Sequence, residues 1–177
     1  MTRIKDLRDH IRSVKDFPKA GIVFRDITTL IGNPQAFKQV IDTLYRRYRA
    51  KGVNAVICIE SRGFIFGSVL AYKLGVPVVL VRKKGKLPYK TVSATYELEY
   101  GTDTLEMHQD SVKKGSRVVV IDDLLATGGT TCAAAGMIEK MGAKIVEIAF
   151  VIELSFLNGK SKLDKYPVYS IVKYDSE

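Results

Sequence analysis

The chain has 177 residues, 46% hydrophobic and 27% charged, which suits one soluble domain able to bury its own core. No apolar run is long enough to cross a bilayer as a helix, and the charged opening from Met1 to Asp6 has no apolar core of a secretory signal, so a cytoplasmic chain is expected. The net charge of +9 attracts anions and leaves nucleic acid, a membrane face or a phosphorylated metabolite as partners; Cys58 and Cys132 lie in apolar or small-residue stretches, which speaks against a disulfide framework or a zinc site and for reduced, packed thiols.

Ile4, Leu7, Ile11 and Val14 make one apolar stripe, which predicts a short helix over 3–14. A turn-rich break follows at Asp16-Phe17-Pro18-Lys19-Ala20-Gly21. Asn33 and Pro34 read as the cap and first residue of a second helix, whose core face is Phe37, Val40, Ile41, Leu44 and Tyr48. The apolar run 55–59 predicts a strand buried on both faces. A helix over about 63–74 comes next, ended by Gly75, and then a second buried strand over 76–81. Residues 83–90 form a basic loop with Gly and Pro, and 91–98 alternate as a half-exposed strand with a hairpin partner at 104–109. A buried strand is expected at 117–121 and further strands at 144–152 and 168–172, with a helix over about 130–141. Buried strands alternating with helices predict an α/β fold: an open, mostly parallel twisted sheet flanked by helices, with ligands at the carboxyl ends of the strands.

That rule directs attention to the segment after the strand at 117–121. There Asp122 and Asp123 lead into Leu124-Leu125-Ala126-Thr127-Gly128-Gly129-Thr130-Thr131, and a helix begins. Gly128 and Gly129 allow a tight turn and close backbone approach. The free N–H groups of the helix start favour an anion, and the threonines add hydroxyls. No Gly-Lys-Ser/Thr follows, so this is not a Walker loop, and Gly-x-Gly-x-x-Gly is absent. Carboxylates beside a phosphate socket make sense if they hold sugar hydroxyls or a hydrated Mg²⁺, which points to a ribose 5-phosphate unit.

The stretch Val118–Thr130 resembles the motif by which type I phosphoribosyltransferases bind phosphoribosyl pyrophosphate (PRPP). The resemblance places the ribose 5-phosphate on Asp122, Asp123, Ala126, Thr127, Gly128, Gly129 and Thr130, with Mg²⁺ held through PRPP and water near the two aspartates rather than by direct protein ligands. It places the pyrophosphate on two further strand-end loops, Glu60-Ser61-Arg62-Gly63 and Arg82-Lys83-Lys84-Gly85-Lys86, through Glu60, Ser61, Arg62, Arg82, Lys83 and Lys86. It also implies a cis peptide at Glu60–Ser61. The segment from Phe17 to Thr28 resembles the base-binding hood of the adenine-using branch: Phe24 would stack on the purine, while Val23 and Arg25 would offer backbone contacts. Leu154 lies either in the wall of the base pocket or in the core.

Leu87–Lys90, Tyr96–Gly101 and the filling Leu124-Leu125-Ala126 match the same branch. The family assigns Glu99 to acid–base work near the base and Tyr100 to closure, with Arg62 beside them at the reacting centre. The implied architecture is the type I phosphoribosyltransferase fold over residues 1–177: a helix and hood over 1–33, then an α/β core over 34–177 with a flexible β-hairpin lid at about 83–101. The resemblance runs from Phe17 to Val172, leaving residues 1–14 and 173–177 with little information. The implied reaction converts adenine and PRPP to AMP and pyrophosphate through an oxocarbenium-like transition state, in a homodimer that needs Mg²⁺ and neither nucleic acid nor membrane. His10, His108 and the cysteines need take no catalytic part. Two alternatives stay open: a different base (hypoxanthine, guanine, xanthine or orotate), and a regulator that binds PRPP without turnover.

Overall fold

The structure is a computed structural model that describes residues 6–97 and 101–176. Ile4, Glu99 and Tyr100 of the sequence expectations lie outside the described residues. Two runs dictate the centre of the fold. Ala55–Ile59 (β3) is buried at every position, and Arg117–Leu125 (β7) is buried over most of its length. Apolar β-branched runs of this kind are stable only when both faces are covered. They pair in parallel, Ile57 opposite Val120, at the middle of a seven-stranded sheet.

Around them the sheet is mixed and mostly parallel. Val78–Lys83 (β4) pairs with β3, and Lys144–Leu154 (β8) and Val168–Tyr174 (β9) follow β7, all in parallel. Thr91–Glu97 (β5) and Thr102–His108 (β6) form an antiparallel hairpin, with Ala94 opposite Leu105. That hairpin joins the sheet through β6 and β4, with Arg82 opposite Glu106, so its base is part of the central sheet. The strand order is β5-β6-β4-β3-β7-β8-β9.

The helices Pro34–Tyr48 (α2) and Gly63–Leu74 (α3) contribute to one core, and Gly129–Lys140 (α4) to a second core on the other face. Asn33 caps α2 by accepting the N–H groups of Gln35 and Ala36 at 3.1 and 3.0 Å. Val40, Ile41, Leu44 and Tyr48 are buried as the spacing predicts, and Phe37 is half-buried against Phe66 with ring centroids 5.7 Å apart. A four-residue helix, Thr28–Ile31 (α1), precedes α2 and had no sequence signal of its own.

Three expectations are corrected. The predicted helix over 3–14 is instead a 3-10 turn at Leu7–His10 followed by the strand Arg12–Lys15 (β1). Leu7 and Ile11 are buried, so the apolar stripe is used, though not as a helix. A tight reversal is the cause: Asp16 accepts the Gly21 N–H at 2.8 Å and returns the chain so that β1 pairs antiparallel with Val23–Asp26 (β2). The strand predicted as buried on both faces at 76–81 begins at Val78, and its Val78 and Leu80 are 40% and 37% exposed. Helix α3 packs chiefly over β3 and β7, which leaves that flank of β4 uncovered. Cys132 is exposed on α4 rather than packed, whereas Cys58 is buried.

Candidate functional site

Strand β7 is longer than its apolar run, and the extension carries the acidic pair. Asp122 lies opposite Phe150 of β8, still within the sheet. The chain then leaves the sheet through Ala126 and Thr127 and enters α4 at Gly128, whose φ of +76° is the left-handed region natural to glycine. No side chain caps this helix, so the N–H groups of its first turn face the cavity in front of it. The cavity measures about 330 Å³. It is lined by all seven residues expected to hold the ribose 5-phosphate: Asp122, Asp123, Ala126, Thr127, Gly128, Gly129 and Thr130. Glu60, Arg62 and Lys83 of the pyrophosphate set also line it, as do Asp103 and Tyr96 of the hairpin.

Sequence reasoning missed what stands behind the loop. Gly159, in the 3-10 turn Gly159–Leu163, is buried against it. A Cβ on Gly128 would run into the Gly159 carbonyl oxygen, and one on Gly159 into the Ala126 carbonyl oxygen. The two glycines allow two backbone segments to touch. The Asn158-Gly159 dipeptide is a turn signal, yet nothing local says what it packs against.

The acidic pair is buried, with Asp122 9% and Asp123 4% exposed. Burial raises the Asp122 carboxyl well above the ordinary aspartate range, and the charge of Asp123 raises it further. Burial also raises Asp123, while Arg62 opposes the shift with Nε 2.8 Å from Asp123 Oδ2. That oxygen makes no hydrogen bond, so the contact is an ion pair. The Arg62 guanidinium also stands 5.6 Å from the centroid of the Phe24 ring. Arg62 therefore touches both the acidic pair and the hood.

The two loops expected to take the pyrophosphate are ordered by carboxylates. Glu60 Oε2 accepts from Arg82 Nε at 3.1 Å and from the Lys83 N–H at 2.9 Å. Arg82 also donates to the Lys86 carbonyl at 3.3 Å, and Glu106 accepts the Gly85 N–H at 2.9 Å. Lys83 Nζ lies 3.2 Å from Asp103, whose hydrogen bond and charge raise the lysine pKa. Glu60 thus aims the second loop. The Glu60–Ser61 peptide is cis. Ser61, Arg82 and Lys86 stand outside the cavity lining, as do the base-binding candidates Val23, Phe24, Arg25 and Leu154. Phe24 is half-buried in β2, edge-on to Phe17 at 5.2 Å. Leu154 packs, half-buried, against the core. The cavity thus gathers the residues expected at the sugar-phosphate end, and Arg62 reaches from it to Phe24.

Comparison with known proteins gives a consistent result. The model of the phosphoribosyl transferase domain matches residues 27–176. An adenine phosphoribosyltransferase from Chloroflexus aurantiacus is 56% identical over 174 residues, 98% of this chain and all of the relative. The crystal structure of adenine phosphoribosyltransferase from Thermoanaerobacter pseudethanolicus superposes with a TM-score of 0.91 at 48% identity, covering 95% of this chain and 98% of that one. The Saccharomyces cerevisiae enzyme, solved with an imino-altritol bisphosphate and adenine, gives 0.88 at 40% identity over 93% and 96% of the two chains.

Proposed function

The chain belongs to the phosphoribosyl transferase family, in its adenine phosphoribosyltransferase branch, and we propose how its residues convert adenine and PRPP to AMP and pyrophosphate. One observation carries the assignment of parts: the phosphate loop, the buried acidic pair and Arg62 line one cavity, and Arg62 reaches the ring of Phe24. In this reading the 5-phosphate sits on the N–H groups of Gly128, Gly129 and Thr130. Asp122 and Asp123 hold the ribose hydroxyls, and Phe24 stacks on the base with Val23 and Arg25 reading its edge through their backbones.

The acidic pair also fits Mg²⁺. Asp123 Oδ2 is buried without a hydrogen bond, its close charged contact being the ion pair with Arg62. Asp122 and Asp123 would hold the ion through water. Bound there, it would offset negative charge on the pyrophosphate. Arg62, Lys83 and Lys86 hold the leaving group as its bond to C1 lengthens, ahead of attack by N9 on the opposite face. Arg82, held by Glu60, keeps that loop in place. Asp123 must release Arg62 as the ribose arrives, which frees the guanidinium for the pyrophosphate. The hairpin around 83–101 closes to exclude water, with Tyr100 completing closure and Glu99 exchanging a proton at the base.

We further infer a single unit over 1–177, a cytoplasmic setting and a homodimer. The uncovered flank of β4 supports the homodimer. Arg82 lies with its guanidinium 5.9 Å from the Phe64 ring, so Leu80 and Val78, which share its side of the strand, face the α3 side, where Ile65 and Tyr72 are exposed too.

The test is a base competition. With PRPP and Mg²⁺ present, adenine, hypoxanthine, guanine and orotate are offered together and the nucleotide is identified. AMP alone is expected. A different nucleotide would overturn the role of the hood, and PRPP binding without any nucleotide would point to a regulator instead.

A further inference from the structure

We propose that Tyr174, on the last strand, is a positioning residue for the base-binding strand, acting through the side chain of Arg25. The proposal rests on the reading of Phe24 as the base-stacking ring. The hood strands β1 and β2 form a sheet of their own, with no ladder to the seven-stranded sheet. Side-chain contacts therefore help to fix where they sit.

Successive residues of a strand point to opposite faces. Phe24 uses one face to meet Arg62. Arg25 uses the other, and its guanidinium carbon lies 4.0 Å from the centroid of the Tyr174 ring. The same guanidinium donates to Ser13 Oγ of β1 and, at 3.5 Å, to the Ser176 carbonyl. One side chain thus joins both hood strands to the C-terminal segment. Arg8 adds a second tie, donating from Nε and Nη2 to the Lys173 carbonyl at 3.3 and 3.1 Å. Tyr174 is itself well anchored, since it lies opposite Leu154 in the parallel pairing of β8 and β9. The base-binding strand is backed by a rigid ring on the main sheet, and the candidate base-wall residue Leu154 stands beside that ring.

A guanidinium over an aromatic face is attracted by the ring quadrupole, not by its hydroxyl. Tyr174→Phe should therefore behave as the parent, while Tyr174→Leu, which keeps apolar bulk and loses the quadrupole, should not. The experiment is steady-state kinetics on Tyr174→Phe, Tyr174→Leu, Arg25→Met and the Tyr174→Leu/Arg25→Met pair, with melting curves alongside. Tyr174→Leu and Arg25→Met are each expected to raise KM for adenine about three- to tenfold and leave KM for PRPP unchanged. The pair should be no worse than either single change. Arg25→Met carries the test if Tyr174→Leu fails to fold. A parental adenine KM in both single variants, an equal rise in both KM values, or Tyr174→Phe as damaging as Tyr174→Leu would each overturn the proposal. Phe24→Ala is the control: if it leaves the adenine KM unchanged, the base-stacking reading falls, and this inference with it.

Discussion

At the scale of single residues the proposed site depends on two kinds of residue, those assigned to the ligand and those that make room. Phe24 is of the first kind. Its ring is half-buried and already held by Phe17 and Arg62, so a stacked purine meets a surface that needs little ordering. Base–aromatic stacking is worth about 1–3 kcal/mol. Phe24→Ala should raise KM for adenine about tenfold, read by initial rates at saturating PRPP, and Phe24→Tyr should recover most of the loss. Gly159 is the second kind. Its α-hydrogen faces the Ala126 carbonyl where a methyl group has no space. Gly159→Ala must push the phosphate loop outward, and the loop's donors then miss the phosphate. The expected outcome is a KM for PRPP raised at least about tenfold with an unchanged KM for adenine. A parental PRPP KM would show that the loop does not depend on this contact.

At the scale of elements, what the sequence made legible was whatever is decided locally. The cap of α2 is Asn33 and its two nearest N–H groups. The loop proposed for the phosphate is a strand end, two glycines and a helix start in consecutive order, and its seven residues line one cavity. The N-terminal stripe was ambiguous because Leu7 and Ile11 satisfy a helical spacing and are equally well buried by a turn and a strand; the pairing with β2, which chose between them, is not local. The same holds for Gly159 and Tyr174, whose meaning lies in segments about 30 and 150 residues away. The exposure of β4 was hidden for a related reason: Val78 and Leu80 read as core, and only the placement of α3 shows them uncovered. These open apolar strand residues fit the homodimer proposed above. With Tyr72 86% exposed nearby on α3, Leu80→Glu should convert the expected dimer to a monomer in sedimentation experiments, with the fold retained by circular dichroism. A monomeric parent chain would remove the assignment.

At the scale of the whole molecule, two buried carboxylate systems at opposite ends of the sheet act oppositely on stability. Near the amino end of β8, Glu147 accepts from Tyr48 at 2.7 Å and from Arg47 Nη2 at 2.7 Å, with Lys51 at 3.3 Å. Burial alone would raise its carboxyl; the hydrogen bonds of Arg47 and Tyr48 outweigh burial and hold it below its ordinary 4.5. A lowered folded value means stability that is present above pH 4.5 and lost as pH falls through that lower value. Glu147→Gln should therefore cost about 2 kcal/mol at pH 7, a Tm lower by about 4–8 °C, and the gap should close in acid. At the carboxyl end, Asp122 is raised by burial and by Asp123. A raised value reverses the sign: the stability is fully present below the ordinary 3.8 and is lost as pH rises through the folded value. Asp122→Asn should then melt higher than the parent at pH 7 to 8, while the two converge below pH 3.8. The same variant should bind PRPP poorly in calorimetry, because the carboxylate that strains the fold is the one assigned to the ribose and the hydrated ion. A Tm that falls at pH 8 would show that the Asp122 carboxylate supports the fold, and PRPP affinity that survives would show that the ligand does not depend on it.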